Sequence, residues 1–198
     1  MSLPSLKRAG YVNDPTNDMY TENVLPLSPA DAQELAYRLL EGEEIPTDNL
    51  QATASAIATA VDGIAHYIHH VVDQMKDDDG VLNVATVGAV VDACLMDQLD
   101  RWHMHHYLER LDTYYMPEER PFALHLLDVL SITDQPLPFD DVFNQLKSRI
   151  VTEDSEMTRR MLTLLQRDHY IVQHKDGKYC FRFPLIKRSW RLQRGLGL

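Results

Sequence analysis

The sequence predicts a mainly α-helical protein in two parts, with a small β-hairpin near its C-terminus. Apolar residues recur at intervals of three and four through much of the chain, which is the spacing of amphipathic helices. An Asp-Gly pair, Asp176-Gly177, lies between two short runs at residues 170–174 and 178–183, and such a pair is a hairpin signal. A hydrophobic content of 44% is ordinary for a globular protein and argues against disorder throughout the chain.

Three helices are predicted before the hairpin. The first begins after Pro117, the second begins at Phe139 with two aspartates in its first turn, and the third begins at Asp154 or Ser155. The expected apolar stripes are Ala123, Leu126, Leu127 and Leu130 in the first, Phe139, Val142, Phe143, Leu146 and Ile150 in the second, and Met157, Met161, Leu164 and Leu165 in the third. The spacing therefore predicts three packed helices.

The hairpin and the segment after it complete the C-terminal part. Tyr179, Phe181 and Phe183 alternate with more polar residues, so one face of the second strand is expected to be buried. The basic segment around Trp190 is expected to form a helix that docks on this part with its charges outward. Three helices followed by a hairpin is the order of a winged helix-turn-helix. Residues 116–194 are therefore predicted to form a winged helix domain with the hairpin as its wing.

The third helix would be the recognition helix of such a domain. Its polar face and the hairpin turn carry side chains of the types that reach phosphates and base edges. The candidate nucleic-acid-binding residues are Arg159, Arg160, Thr163, Gln166 and Arg167 on the helix, with Lys175 and Lys178 beside the turn. The same face could instead be solvated or packed on protein, and Glu156 and Asp168 dilute its positive charge.

The net charge of −11 is unevenly distributed along the chain. Residues 1–115 contain 6 basic and 19 acidic side chains, whereas residues 155–198 contain 10 basic and 3 acidic ones. A basic C-terminal third is what contact with nucleic acid needs, and it would equally suit docking on an acidic neighbour.

Residues 24–115 are predicted to form a helical bundle, preceded by a polar linker or fragment end at residues 1–23. Ser28-Pro29-Ala30-Asp31 combines a capping serine, a proline at the first helical position and an acid three residues after the cap. Further helices are expected from Thr47 or Asp48, after the break at Gly63, from Val84 to Asp97, and from Leu99 to Tyr115.

Two phrases in this bundle carry a family resemblance, Val24-Leu25-Pro26-Leu27-Ser28 and Gly63-Ile64-Ala65. The first is similar to the L-x-P-L-S phrase that follows the nucleotide-binding core in P-loop ATPases of the AAA+ and STAND type. The second resembles the opening of the third helix of their helical lid, with alanine where proline is frequent. The ending FRFPLIKRSWRLQRGL resembles the winged-helix tail of many members. The resemblance spans residues 24–194 and implies that Gly63, Ala65 and His66 lie near nucleotide.

The motifs of catalysis are absent from the sequence. No G-x-x-x-x-G-K-[ST] loop and no strand ending in paired acids is present, so the chain is not expected to be an enzyme or to hold a cofactor. The resemblance implies the C-terminal regulatory module of an ATPase, with ATP and Mg²⁺ bound by an upstream core. In this interpretation the bundle senses nucleotide state and the winged helix contacts DNA or a protein partner. The alternative is a stand-alone winged-helix transcriptional regulator or a protein-interaction adaptor.

No metal site is predicted, although histidines are clustered. His66, His70 and Asp73 fall on one helix face, and a second group is near His103, but no cysteine or H-E-x-x-H motif joins either. The acidic turn at 77–80 lacks the alternating ligands of a calcium loop. The two cysteines show no disulfide spacing, and no apolar run reaches the ~20 residues that span a membrane. A cytoplasmic location without membrane contact is therefore expected.

Overall fold

The computed structural model describes residues 25–76 and 81–197. The predicted linker at 1–23 and the predicted acidic turn at 77–80 lie outside the described residues. Over the described ranges the chain is mainly helical, with nine helices and a two-stranded antiparallel hairpin near the C-terminus, as the sequence predicts. No helix in these ranges is both long and apolar enough to cross a bilayer. The chain divides into two compact units, residues 25–103 and 104–197 as described.

The N-terminal unit contains four helices. They are α1 (Pro29–Gly42), α2 (Leu50–Ala60), α3 (Ala65–Met75) and α4 (Val84–Leu95). The predicted cap at Ser28 is confirmed, because its hydroxyl accepts the Asp31 N–H at 3.2 Å. Asn49 and Asn83 cap α2 and α4 in the same way. The fully buried side chains of these helices include Ala36, Leu40, Ala54, Ile57, Ile68, Val71, Met75 and Val91.

The predicted helix from Leu99 to Tyr115 is wrong in its first part. Residues 97–104 form turns, and the helix begins only at His105. Asp100 and His103 have φ angles of 47° and 54°, a left-handed conformation that a right-handed helix cannot continue through. Trp102 is nevertheless only 2% exposed, as expected of a core residue.

The C-terminal unit contains five helices and the hairpin among its described residues. They are α5 (His105–Tyr114), α6 (Arg120–Ser131), α7 (Phe139–Lys147), α8 (Ser155–Arg167), β1 (Ile171–Gln173), β2 (Tyr179–Phe181) and α9 (Pro184–Arg194). Helix α7 ends before Ile150, which the sequence prediction placed within it, although Ile150 still packs against the core. One continuous hydrophobic core joins these elements, and its fully buried members include Leu111, Leu126, Leu127, Leu146, Met161, Leu165 and Tyr170.

Helix α5 belongs to this C-terminal core. Leu111 and Tyr115 are buried in it, and Tyr107 packs against it. The Tyr115 hydroxyl also donates to the buried Asp168 carboxylate at 2.7 Å. The sequence prediction assigned this helix to the preceding domain, whose boundary it placed after residue 115.

The hairpin forms at the predicted place. Ile171 pairs with Phe181, Val172 with Cys180 and Gln173 with Tyr179. In the connecting turn, Gly177 has a φ of 83°, which favours glycine. Strand β2 is bordered on its other side by the segment between α6 and α7. The Leu137 N–H donates to the Tyr179 carbonyl at 2.9 Å, and the Tyr179 N–H donates to the Leu137 carbonyl at 2.8 Å.

Helix α9 is fastened to α6 through a buried carboxylate. The Trp190 indole N–H donates to Asp128 Oδ1 at 2.9 Å, and Arg194 donates from Nη2 to Asp128 Oδ2 at 2.9 Å. Asp128 is only 2% exposed, and its carboxylate raises the pKa of Arg194 by accepting these hydrogen bonds. The expectation that the basic segment keeps its charges outward is therefore wrong for Arg194, which turns toward the interior.

Candidate nucleic-acid interface

Helix α8 carries five of the candidate residues, and its local sequence explains its position. The Asp154 carboxylate caps it by accepting the Met157 N–H at 2.8 Å. Its buried face consists of Thr158, Met161, Leu162 and Leu165. Met157 and Leu164, which the sequence prediction counted in that face, are only partly buried.

The opposite face of α8 brings the predicted residues together. Arg159, Arg160, Thr163 and Arg167 are exposed, and Gln166 is half-buried. Arg159, Thr163 and Arg167 follow one another at intervals of four, so they form a row along one side of the helix. Because the row extends over more than one turn of α8, it can contact an elongated ligand along the helix.

Arg159 lies over an aromatic ring. Its guanidinium carbon is 3.6 Å from the centroid of Phe139, which itself lies parallel to Phe143 with centroids 5.9 Å apart. Arg159 Nε is also 3.4 Å from Glu156 Oε1. Both charged side chains are more than half exposed, so this ion pair contributes little.

Arg160 has a different partner from its neighbour. Its Nη2 donates to Glu119 Oε1 at 2.7 Å. The Glu119 side chain is only 6% exposed and also accepts the Met116 N–H through Oε2 at 3.2 Å. Arg160 therefore neutralises a buried carboxylate with one of its nitrogens.

The remaining candidates differ in whether their side chains already have a hydrogen-bond or ion-pair partner. Thr163 Oγ1 donates to the Arg159 carbonyl at 3.0 Å. Lys178 Nζ is 3.0 Å from Asp176 Oδ2, and this lysine lowers the pKa of Asp176 through its hydrogen bonds. Arg167 and Lys175 are exposed and have no acidic partner among the described residues. They are the freest of the predicted cations.

Beside this surface, a buried tyrosine fixes the start of the hairpin. The Tyr170 hydroxyl donates to the Tyr107 carbonyl at 2.6 Å, and burial raises the pKa of Tyr170 strongly. The adjacent His169 has a φ of 65°, and its pKa is lowered, first by burial and then by the nearby Arg182. Arg182 Nη1 lies 3.0 Å from His169 Nδ1. This pair joins the end of α8 to the hairpin.

Sequence reasoning missed the roles of Phe139 and Glu119. Phe139 was expected only as part of an apolar stripe, and no contact of Glu119 with α8 was predicted. The stripe position of Phe139 was a usable signal that it would lie near α8. No sequence pattern could have shown which arginine each residue would contact, because both contacts join different helices.

In the N-terminal unit, the two phrases that carry the resemblance lie in direct contact. The Leu27 N–H donates to the Gly63 carbonyl at 3.0 Å. Gly63 has a φ of 67°, and a Cβ at this position would lie 2.9 Å from the Leu27 carbonyl oxygen. Ala65 is the first residue of α3, and His66 follows it on the exposed side.

The histidines of α3 are close but do not complete a metal site. The rings of His66 and His70 have centroids 4.5 Å apart, and the pKa of His66 is lowered, first by burial and then by His70. Among the described residues, no group of three or more histidine, cysteine, aspartate or glutamate side chains could hold a metal ion. A cavity of about 310 Å³ lies beside His70, between α3, α4 and the turns that follow α4. Cys94 borders this cavity, and burial raises the pKa of its thiol.

The sequence was compared with protein-family models and with curated proteins. No protein-family model matches the chain, and no curated protein matches its sequence.

Proposed function

We propose that the C-terminal unit contains a winged helix that binds duplex nucleic acid through α8 and the hairpin turn. The observation that carries this proposal is the exposed row Arg159, Thr163 and Arg167 on a helix whose opposite face is buried. Helices of this length and exposure fit the major groove, where arginine and threonine contact base edges and phosphates.

The order of elements also supports a winged helix. Helix α6 is followed by the bridge residue Leu137, then by α7, α8 and the two hairpin strands. Because Leu137 pairs with Tyr179 in β2, the hairpin is extended to a third, very short strand position. The wing turn then carries Lys175, an exposed cation suited to a phosphate.

A protein partner remains the second candidate for the same surface. Glu156 lies next to Arg159, and Asp176 neutralises Lys178, so the surface is less basic than its arginines alone suggest. A mixed-charge face of this kind suits a protein contact as well. This reading includes the stand-alone adaptor that uses the winged helix without an ATPase.

We also propose that the chain is the non-catalytic C-terminal module of a AAA+ or STAND ATPase. The support is the contact between Leu27 and Gly63, because it joins the two phrases on which the resemblance rests. ATP and Mg²⁺ would be bound by a core that precedes this module, with Gly63, Ala65 and His66 on the side of the nucleotide. A P-loop domain encoded upstream in the same reading frame is the expected finding, and its absence would contradict this part of the proposal.

The test of nucleic-acid binding is a salt titration with duplex DNA. Each phosphate contact is expected to steepen the slope of log affinity against log salt by about 0.9. Arg167→Gln and Lys175→Gln should therefore each flatten the slope by about one phosphate contact. Arg38→Gln is the matched control, because it removes the same charge from an exposed helix of the other unit. Undetectable binding at low salt, or affinity that does not change with salt, would overturn the proposal.

A further inference from the structure

Arg159 is the candidate cation of the interface that lies over an aromatic ring among the described residues. Its guanidinium carbon lies 3.6 Å from the centre of the Phe139 ring, within the range of a cation–π contact. Phe139 is in turn supported by the parallel ring of Phe143. Both phenylalanines are partly buried, so the stack is part of the folded unit and not a loose surface contact.

This stack leaves the hydrogen-bonding edge of Arg159 available. Stacking occupies a face of the planar guanidinium, whereas its N–H donors point outward in the plane. The Glu156 Oε1 atom lies 3.4 Å from Arg159 Nε, and the Glu156 side chain is 84% exposed. A ligand with two acceptors can therefore meet the outer edge of the guanidinium without breaking the stack.

The neighbouring cations do not share these properties. Arg160 is engaged by the buried Glu119 carboxylate. Arg167 and Lys175 are exposed and, among the described residues, no aromatic ring stacks on either. Flexible cations suit phosphates, which accept hydrogen bonds from many directions, whereas a fixed guanidinium plane suits the two fixed acceptors of a guanine.

We propose that Arg159 is the specificity-determining residue of this surface, reading a guanine in the major groove of duplex DNA, and that Phe139 positions it. The inference rests on the proposed nucleic-acid function. Arg159 donates to the O6 and N7 atoms of guanine, and Arg167 and Lys175 contact phosphates. Phe139 does not contact the DNA and acts through the orientation of the guanidinium.

The test begins with selection of preferred sites from a pool of duplexes with a randomised segment. The wild-type protein is expected to enrich sites with guanine at one position, and replacing that base pair should weaken binding roughly 10- to 100-fold. Arg159→Ala removes every donor to guanine and should abolish this discrimination, whereas Arg159→Lys, whose ammonium can still donate to O6 and N7, should only weaken it. Arg167→Ala is the matched control, and it should keep the discrimination.

Phe139→Leu tests the positioning role. It should reduce the guanine discrimination of the wild-type protein, and it should have no further effect when combined with Arg159→Ala. A purely structural role would instead weaken binding to all duplexes equally. The NMR signal of the Arg159 Nε–H gives a second measurement without DNA, because loss of the ring should move it toward the position of an unstacked arginine. Thermal unfolding of each variant verifies that it is folded.

The outcomes separate this inference from the function on which it rests. Absence of any duplex binding by the wild-type protein would overturn both. Salt-dependent binding in which Arg159→Ala retains the guanine preference would overturn the role of Arg159 alone. An unchanged Nε–H signal and unchanged discrimination in Phe139→Leu would overturn the positioning role.

Discussion

Two adjacent arginines on α8 have different physical roles. Arg159 lies over the Phe139 ring at an exposed position, whereas Arg160 reaches back to a carboxylate that is almost fully buried. A sequence-based view treats both as equal contributors to a basic face. Their partners give them different effects on stability. Leaving a buried carboxylate unpaired lowers the stability of the fold, whereas leaving an exposed guanidinium unpaired does not.

Removing Arg160 is therefore expected to affect stability more than nucleic-acid binding. Among the described residues, Arg160→Ala leaves the Glu119 carboxylate with the Met116 N–H as its one hydrogen-bond donor, and we expect a loss of about 1–3 kcal/mol in the free energy of unfolding. Urea denaturation measures this change. Arg167→Ala is the control and should stay within about 0.5 kcal/mol of the wild type. Equal stability of the two variants would show that the Glu119 contact is unimportant.

Asp128 is a second residue whose buried carboxylate stabilises the fold. It accepts hydrogen bonds from both Trp190 and Arg194, so α9 depends on it. Asp128→Ala should cost about 3 kcal/mol, since Arg194 would lose its carboxylate and the indole N–H its acceptor. The control is Asp134→Ala, whose side chain is 87% exposed. If the two variants had the same denaturation midpoint, this role of Asp128 would be ruled out.

At the scale of elements, the ends of several helices and the hairpin turn coincide with residues that have positive φ angles. Gly63 separates α2 from α3 with a φ of 67°, and Gly177 forms the hairpin turn with a φ of 83°. Both glycines are where the sequence placed a break or a turn. Asp100 and His103 also have positive φ angles, and they delay the start of α5.

The turn at Gly63 can be tested against a glycine inside a helix. Gly63→Ala would force a positive φ on alanine and place Cβ 2.9 Å from the Leu27 carbonyl, so we expect a loss of about 1–3 kcal/mol. Gly88 lies within α4 and has open space around it, so Gly88→Ala should stabilise the protein by about 0.5–1 kcal/mol. Thermal or urea unfolding of both variants should give shifts of opposite sign. A neutral Gly63→Ala would contradict the close approach of Leu27.

The elements that the sequence predicted well are those with local causes. Capping by Ser28 and the Asp-Gly turn each depend on residues a few positions apart. The start of α5 was missed because positive φ angles at aspartate and histidine leave no reliable mark in the sequence. The candidate residues of α8 could be located on one face, but the stack on Phe139 and the pair with Glu119 join different helices and needed the structure.

At the scale of the whole molecule, each unit has its own buried core. Leu40, Ile57 and Ile68 belong to the N-terminal core, whereas Leu111 and Leu126 belong to the C-terminal one. Charge follows the same division, because the basic residues are concentrated after residue 103. The part proposed to bind nucleic acid is therefore expected to fold with its own set of contacts.

Two fragments test where the C-terminal unit begins. A fragment of residues 104–198 retains α5 and should unfold cooperatively. A fragment of residues 116–198 lacks Leu111 and the Tyr115 hydroxyl that binds Asp168, so it should be less stable by several kcal/mol, about the cost of two large buried side chains. Circular dichroism during thermal unfolding makes the comparison. Equal stability of the fragments would favour the boundary predicted from the sequence, after residue 115.

The most direct test of nucleic-acid binding maps amide chemical shifts of the intact protein during titration with a short DNA duplex at low salt. We expect salt-sensitive shifts concentrated on the exposed face of α8, residues 159–167, and on the hairpin turn, residues 174–178. Shifts confined to residues 25–103, or no shifts at duplex concentrations that suffice for non-specific binding, would contradict the proposed role of the C-terminal unit.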